Sequence, residues 1–261
     1  MDFVPDSNIA HDCLHTCGFS EYSRAYVITN EDLRYSLNFM PKEANRALTV
    51  VGSGDHPLFC SLFGARHVDT FDISYNAKCI MDIKVAALQS GLDLFDYEQM
   101  LYELFYCRDI TGLKNIDKIS KMLPAEEYKY LCDMKKVSLF HQGANPQLYA
   151  RFLPNKQEYG KLKNIVQKPY TFIKSDIKQI GSKLTQCYDF IHVSNIFDYV
   201  PRDESFDVLS SLLKLVKPNG RILVHNQMVR SGALCHKIAE TFDNWRHIKE
   251  KDNINILERI R

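Results

Sequence analysis

Ala47-Leu48-Thr49-Val50-Val51-Gly52-Ser53-Gly54-Asp55 runs from an uncharged, β-rich segment straight into a pair of glycines. An apolar run of this length suits a parallel strand, which packs on both faces and shows no alternation. Glycine at its end lets the backbone turn tightly and approach a ligand without a Cβ in the way. Working outward, residues 57–63 read as a helix stopping at Gly64, and 68–72 (Val-Asp-Thr-Phe-Asp) as the next strand. From Asn76 to about Ser90, Ile80, Ile83, Ala87 and Leu88 recur at helical spacing, with Gly91 as the stop signal.

The alternation then lapses. Residues from about 92 to 166 are rich in Tyr, Leu and Lys, read as mainly helical, and contain no convincing parallel strand. Strand patterns resume at 170–174 and 188–193, followed by a helix at 206–216 closed by Lys217-Pro218-Asn219-Gly220. A strand at 221–225, a helix near 231–243 and two final strands, about 245–249 and 254–260, complete the chain; Asp252-Asn253 lies in the last turn. Such alternation predicts an α/β fold: a Rossmann-like, doubly wound, mostly parallel seven-stranded sheet with an antiparallel C-terminal hairpin. Residues 1–261 are read as a single domain, with the stretch of about 92–166 as a helical cap inserted over one end of the sheet.

Composition bounds the function. With 261 residues, 45% hydrophobic and 25% charged, the chain can bury a sizeable core. Thirty-three basic residues nearly balance thirty-two acidic ones, which argues against a surface built mainly to grip nucleic acid or an anionic membrane. Met1-Asp2-Phe3-Val4-Pro5-Asp6 lacks the pattern of a signal peptide, and no stretch approaches the roughly 18 apolar residues of a membrane helix. Eight scattered cysteines, mostly in apolar surroundings, fit a reduced cytoplasmic protein. His11, Cys13, His15 and Cys17 offer four soft ligands, but no second ligand pair partners them, so no metal site is expected. Oligomeric state is not legible.

In a sheet of this kind the ligand sits beyond the carboxyl ends of the strands. Gly52, Ser53, Gly54 and Asp55 end the first strand, and Asp72 ends the second, 18 residues beyond Gly54. An acid there can accept from both ribose hydroxyls of a nucleoside, with Ile73 beside it. The third position of a dinucleotide GxGxxG fingerprint is Pro57 here, so the close helix approach that a pyrophosphate uses is lacking. S-adenosyl-L-methionine, an adenosine without phosphate, fits that pattern. Lys174-Ser175-Asp176-Ile177 follows the third strand; Asp176 is read as accepting from the adenine amino group, with Ile177 on the ring, or as a helix N-cap. Ser194 and Asn195 follow the fourth strand and face the reactive end of the cofactor.

The segments Leu48-Thr49-Val50-Val51-Gly52-Ser53-Gly54-Asp55, Phe71-Asp72-Ile73-Ser74-Tyr75-Asn76-Ala77, Ile83-Lys84-Val85-Ala86-Ala87-Leu88, Tyr97-Glu98 and His192-Val193-Ser194-Asn195-Ile196-Phe197-Asp198-Tyr199 carry a family likeness. Across about 47–90 and 168–261 the chain resembles the class I S-adenosylmethionine-dependent methyltransferase superfamily. Within it, the chain is most similar to the family containing the betaine-lipid aminocarboxypropyltransferases. The resemblance implies a cofactor lined by Gly52, Gly54, Asp72 and Ser194. It also implies transfer of either a methyl or a 3-amino-3-carboxypropyl group to a small-molecule or lipid-like acceptor; a non-catalytic cofactor-binding module or a nicotinamide-dependent enzyme is the third reading.

Candidates at the reacting end are few. Asp198 is read as a base for a hydroxyl or amine acceptor, or as a helix cap or surface acid. Tyr22 and Tyr26 are read as folding over the cofactor, where an aromatic face suits a sulfonium, or as packing under an N-terminal helix. His141-Gln142-Gly143-Ala144-Asn145-Pro146 is a candidate edge of the acceptor pocket.

Overall fold

The computed structural model describes residues 23, 25–107, 110–133, 140–141, 150–166, 170–226, 231–251 and 253–260. The segment with His11, Cys13, His15 and Cys17, together with Tyr22 and residues 142–146, lies outside the described residues. Two compact units emerge: residues 1–32, 51–58 and 72–169 form the first, and 33–50, 59–71 and 170–261 the second.

The second unit carries the main sheet. Its strands are β2 (Arg46–Val50), β3 (His67–Asp72), β5 (Thr171–Lys174), β6 (Tyr188–His192), β7 (Val216–His225), β8 (Trp245–Lys251) and β9 (Ile254–Arg259). A short β1 (Ala25–Tyr26) and β4 (Phe140–His141) belong to the first unit. The seven strands lie in the order β5-β3-β2-β6-β7-β9-β8. β2 runs parallel to β3 and β6, and β6 parallel to β7. β9 runs antiparallel to both β7 and β8. The architecture is therefore a Rossmann-like, mostly parallel seven-stranded sheet with an antiparallel C-terminal hairpin. Strand order reverses at β2, whose neighbours are the strand that follows it and a strand more than a hundred residues later.

Neighbouring strand residues feed opposite cores. Leu48, Ile191, Ile222 and Leu257 pack with α8 (Ile177–Lys183), α9 (Arg202–Leu213) and α10 (Gly232–Thr241). Ala47, Phe190, Leu223 and Ile256 pack with α1 (Leu33–Leu37) and with Phe59 and Cys60 of α2 (Asp55–Leu62). Side chains alternate across a pleated strand, so both faces must be covered, and that is why Ala47-Leu48, Phe190-Ile191, Ile222-Leu223 and Ile256-Leu257 are apolar in adjacent pairs.

Two details depart from the sequence reading. The helix before β7 ends at Leu213, and β7 already pairs at Val216 with Tyr188 before pairing resumes at Arg221 with Phe190. Residues 217–220 bulge between these contacts, with Asn219 at φ 61° and Lys217 Nζ 2.9 Å from Asp189 Oδ2. The antiparallel member of the final hairpin is also internal, because β9 sits between β7 and β8 and leaves β8 at the edge.

In the first unit, α3 (Tyr75–Gln89) is buried along 76–88 except at Lys78. Ser74 caps it, its Oγ accepting from the Ala77 N–H at 3.4 Å and donating to the Ser23 carbonyl at 2.7 Å. Next come α4 (Leu94–Cys107), α5 (Ile116–Ile119), α6 (Ala125–Asp133) and α7 (Lys156–Ile165). α4 buries Tyr97, Met100, Leu101 and Leu104, the spacing of a single helical face. α7 starts on a capping box at Asn155 and Glu158, and its Tyr159 hydroxyl donates to the Leu92 carbonyl at 3.0 Å. The stretch of about 92–166, read from sequence without a parallel strand, does contain β4, which pairs in parallel with β1 over two residues. A pairing that short has no periodicity to show.

Candidate functional site

The turn leaving β2 is built on positive φ. Gly52 has φ 55° and Gly54 φ 80°, and the Gly54 N–H donates to the Val51 carbonyl at 2.8 Å. L-residues adopt this region rarely and at a cost, so glycine is favoured at both places. Gly54 has a second reason: a Cβ there would lie 2.8 Å from the Met81 Cα on α3. The loop rests directly on that helix.

Asp72, at the end of β3, meets this loop. Its Oδ2 accepts from the Gly52 N–H at 3.1 Å and its Oδ1 from the Ser74 N–H at 2.9 Å. Burial pushes its carboxyl up to about 6, although the backbone N–H groups of Ser74, Gly52 and Ile73 and the nearby His56 pull the other way. Ile73 is half-buried beside it. The glycine bend and the second-strand acid, 20 residues apart in sequence, are thus hydrogen-bonded to each other.

Asp55 and Ser53 face inward. Both are 1% exposed, and the Ser53 hydroxyl donates to Asp55 Oδ2 at 2.8 Å. The Thr29 N–H donates to the same oxygen at 2.8 Å, and Lys84 Nζ of α3 sits 2.5 Å from Oδ1. Lys84 is fully buried. Burial lowers its ammonium from the ordinary lysine value, with Asp55 opposing the shift. Sequence reading did not single Lys84 out. Its signal was present, because one charge in an otherwise apolar stretch (residues 83–88) needs a buried counter-charge. Behind the loop, His56 Nε2 lies 3.4 Å from Glu31 Oε2, both side chains being buried. Tyr97 is fully buried, and among the described residues its hydroxyl has no hydrogen-bond partner.

The remaining candidates lie on the sheet-bearing unit, except Tyr26. Asp176 is the N-cap of α8, its Oδ1 accepting from the Lys178 N–H at 2.9 Å, while Ile177 is 5% exposed within the core. Ser194 is buried and has φ 52°, an uncommon conformation for a residue other than glycine. Its N–H donates to His192 Nδ1 at 3.1 Å, its carbonyl accepts from the His225 N–H at 2.9 Å, and its hydroxyl donates to Asn195 Oδ1 at 3.3 Å. The chain is therefore pinned in that conformation just past the carboxyl end of β6. Asp198 lies in a single 3-10 turn, Ile196–Asp198, and is half-buried. Tyr26 is half-buried in β1.

Among the described residues no helix is long and apolar enough to cross a membrane. No family model matches the sequence, and no curated protein is similar to it. Solved structures do show similarity. An rRNA methyltransferase from Streptomyces viridochromogenes aligns over 98% of this chain and 93% of its own, with 12% identity and a TM-score of 0.45. A putative rRNA methylase from Clostridium thermocellum aligns over 89% and 98%, with 11% identity and a TM-score of 0.43. An N-methyltransferase from Bradyrhizobium japonicum aligns over 88% and 90%, with 12% identity and a TM-score of 0.39.

Proposed function

We propose that the chain binds S-adenosyl-L-methionine through Gly52, Gly54 and Asp72 and transfers its methyl group to a small-molecule acceptor. The observation that carries this reading is the 3.1 Å hydrogen bond between the Gly52 N–H and Asp72 Oδ2. It holds a backbone with no side chain next to a carboxylate, the pair of features a ribose demands. A carboxylate has about four acceptor sites, so Asp72 retains capacity for a sugar hydroxyl beside its backbone donors.

The residues suit a nucleoside without phosphate. Helix N-termini attract anions, but the first turn of α2 already carries the Asp55 carboxylate, and Pro57 has no N–H to offer. The near balance of 33 basic and 32 acidic residues supports an acceptor other than a polyanion.

The bound cofactor supplies an electrophilic carbon on a positively charged sulfur. The chain's task is to present one carbon and align the acceptor, a positioning effect that needs little acid–base chemistry. Tyr26 is the aromatic candidate near the sulfonium. A second reading, transfer of the 3-amino-3-carboxypropyl group, is favoured by the likeness of the 48–55, 71–88 and 192–199 segments to that family. Incubation with cofactor and an acceptor panel separates the two. S-adenosylhomocysteine marks methyl transfer and methylthioadenosine the alternative, while a calorimetric titration without binding sinks both.

A further inference from the structure

We infer that Lys84 is a positioning residue: acting through Asp55, it holds the glycine loop in the shape that receives the nucleoside. The inference rests on the proposed cofactor reading and adds to it a residue outside the loop. The loop is held by two backbone hydrogen bonds, Gly54 N–H to the Val51 carbonyl and Gly52 N–H to Asp72, and Gly52 and Gly54, both at positive φ, carry no side chains to add to them. Asp55 supplies the side-chain hold, because its two oxygens join three separated segments. Oδ2 takes the Thr29 N–H and the Ser53 hydroxyl, and Oδ1 takes Lys84 Nζ.

Stability alone does not explain a lysine here. Taking two charges out of water forfeits much of what their attraction returns, and well-packed apolar pairs often do as well or better. What a charged pair supplies is direction: at 2.5 Å and no exposure, the carboxylate has one place to sit. Met81, against which Gly54 rests, lies three residues before Lys84 and so on the same face of α3. One helix therefore gives the loop both a seat and a tether. Burial of Lys84 against a single carboxylate agrees with its lowered ammonium.

The test uses the full chain, titrated with S-adenosylmethionine and S-adenosylhomocysteine by calorimetry, with thermal unfolding followed in parallel. Lys84→Met and Asp55→Asn each leave one buried partner uncompensated, and the double variant Asp55→Asn/Lys84→Met removes both charges. If Lys84 positions the loop, the double variant recovers most of the unfolding temperature lost by the single variants, yet binds cofactor at least about tenfold more weakly than the parent. If affinity returns together with stability, the pair is only structural and the inference is overturned. A folded single variant with parental affinity overturns it equally. Should the single variants fail to fold, the double variant decides. A parent that binds neither ligand defeats the cofactor reading itself, a different outcome from a parent that binds and variants that bind equally well.

Discussion

Asp72 couples the site to pH in a direction that can be worked out. Burial holds its carboxyl at about 6, above the ordinary 3.8. Between those values the folded chain keeps a proton that the unfolded chain has released, so this group adds stability as pH falls from about 6 towards about 4. On the proposed reading ribose hydroxyls need the charged acceptor, so cofactor affinity moves the other way. We expect it to fall as pH drops through about 6, by at most about tenfold per pH unit. Asp72→Asn keeps the shape, flattens that dependence and weakens binding by about 1–3 kcal/mol. Calorimetric titrations of parent and variant over pH check both, and a parental affinity flat across pH 6 removes Asp72 from the ribose. The glycines beside Asp72 were legible in sequence because glycine takes positive φ at the least cost. Lys84 was passed over because its partner lies 29 residues away and its burial is a property of the fold.

The docking of α6 on α3 is the feature to test among the elements. Lys78 of α3 lies 2.5 Å from Asp82 and bonds Glu127 of α6, with the carboxylates 7% and 2% exposed. Tyr130 of α6 also donates to Asn76 Oδ1 at 2.8 Å. Two buried carboxylates facing one ammonium leave a net negative charge, which uptake of one proton cancels. Burial first, and then Asp82, push Glu127 up to about 8, with Tyr75 and Cys79 the other titratable groups alongside. The folded state keeps this proton while the unfolded chain releases it above about 4.5, so the contribution to stability declines as pH rises and levels off above about 8. Urea midpoints across that range should fall in the parent and flatten in Glu127→Gln; a parental midpoint indifferent to pH rejects the raised Glu127 carboxyl. Sequence pattern found α3 from its apolar spacing and its Gly91 stop. It missed β1 and β4, since two-residue strands have no period.

At the scale of the molecule, the sheet depends on β9 entering between β7 and β8. Ile256 of β9 pairs with Leu223 on one side and Ile248 on the other, and is 1% exposed. Ile256→Ala should cost about 2–5 kcal/mol through lost burial and the cavity left behind. Trp245, the single tryptophan and 6% exposed on β8, reports unfolding by fluorescence. A loss below about 1 kcal/mol would mean that β9 does not carry the interior position.

Local chemistry was enough to write the alternation of strands and helices, the glycine bend at 52 and 54, the acid at 72 and, as one of two readings, the cap at 176. Each is settled by residues within a few positions of one another, through side-chain period, allowed φ and capping bonds. Strand order, the insertion of β9, the 217–220 bulge, the inward turn of Asp55 and the Lys84 tether were decided only in three dimensions. Each of these depends on a partner distant in the chain, and a sequence pattern carries no record of which distant groups share a buried space.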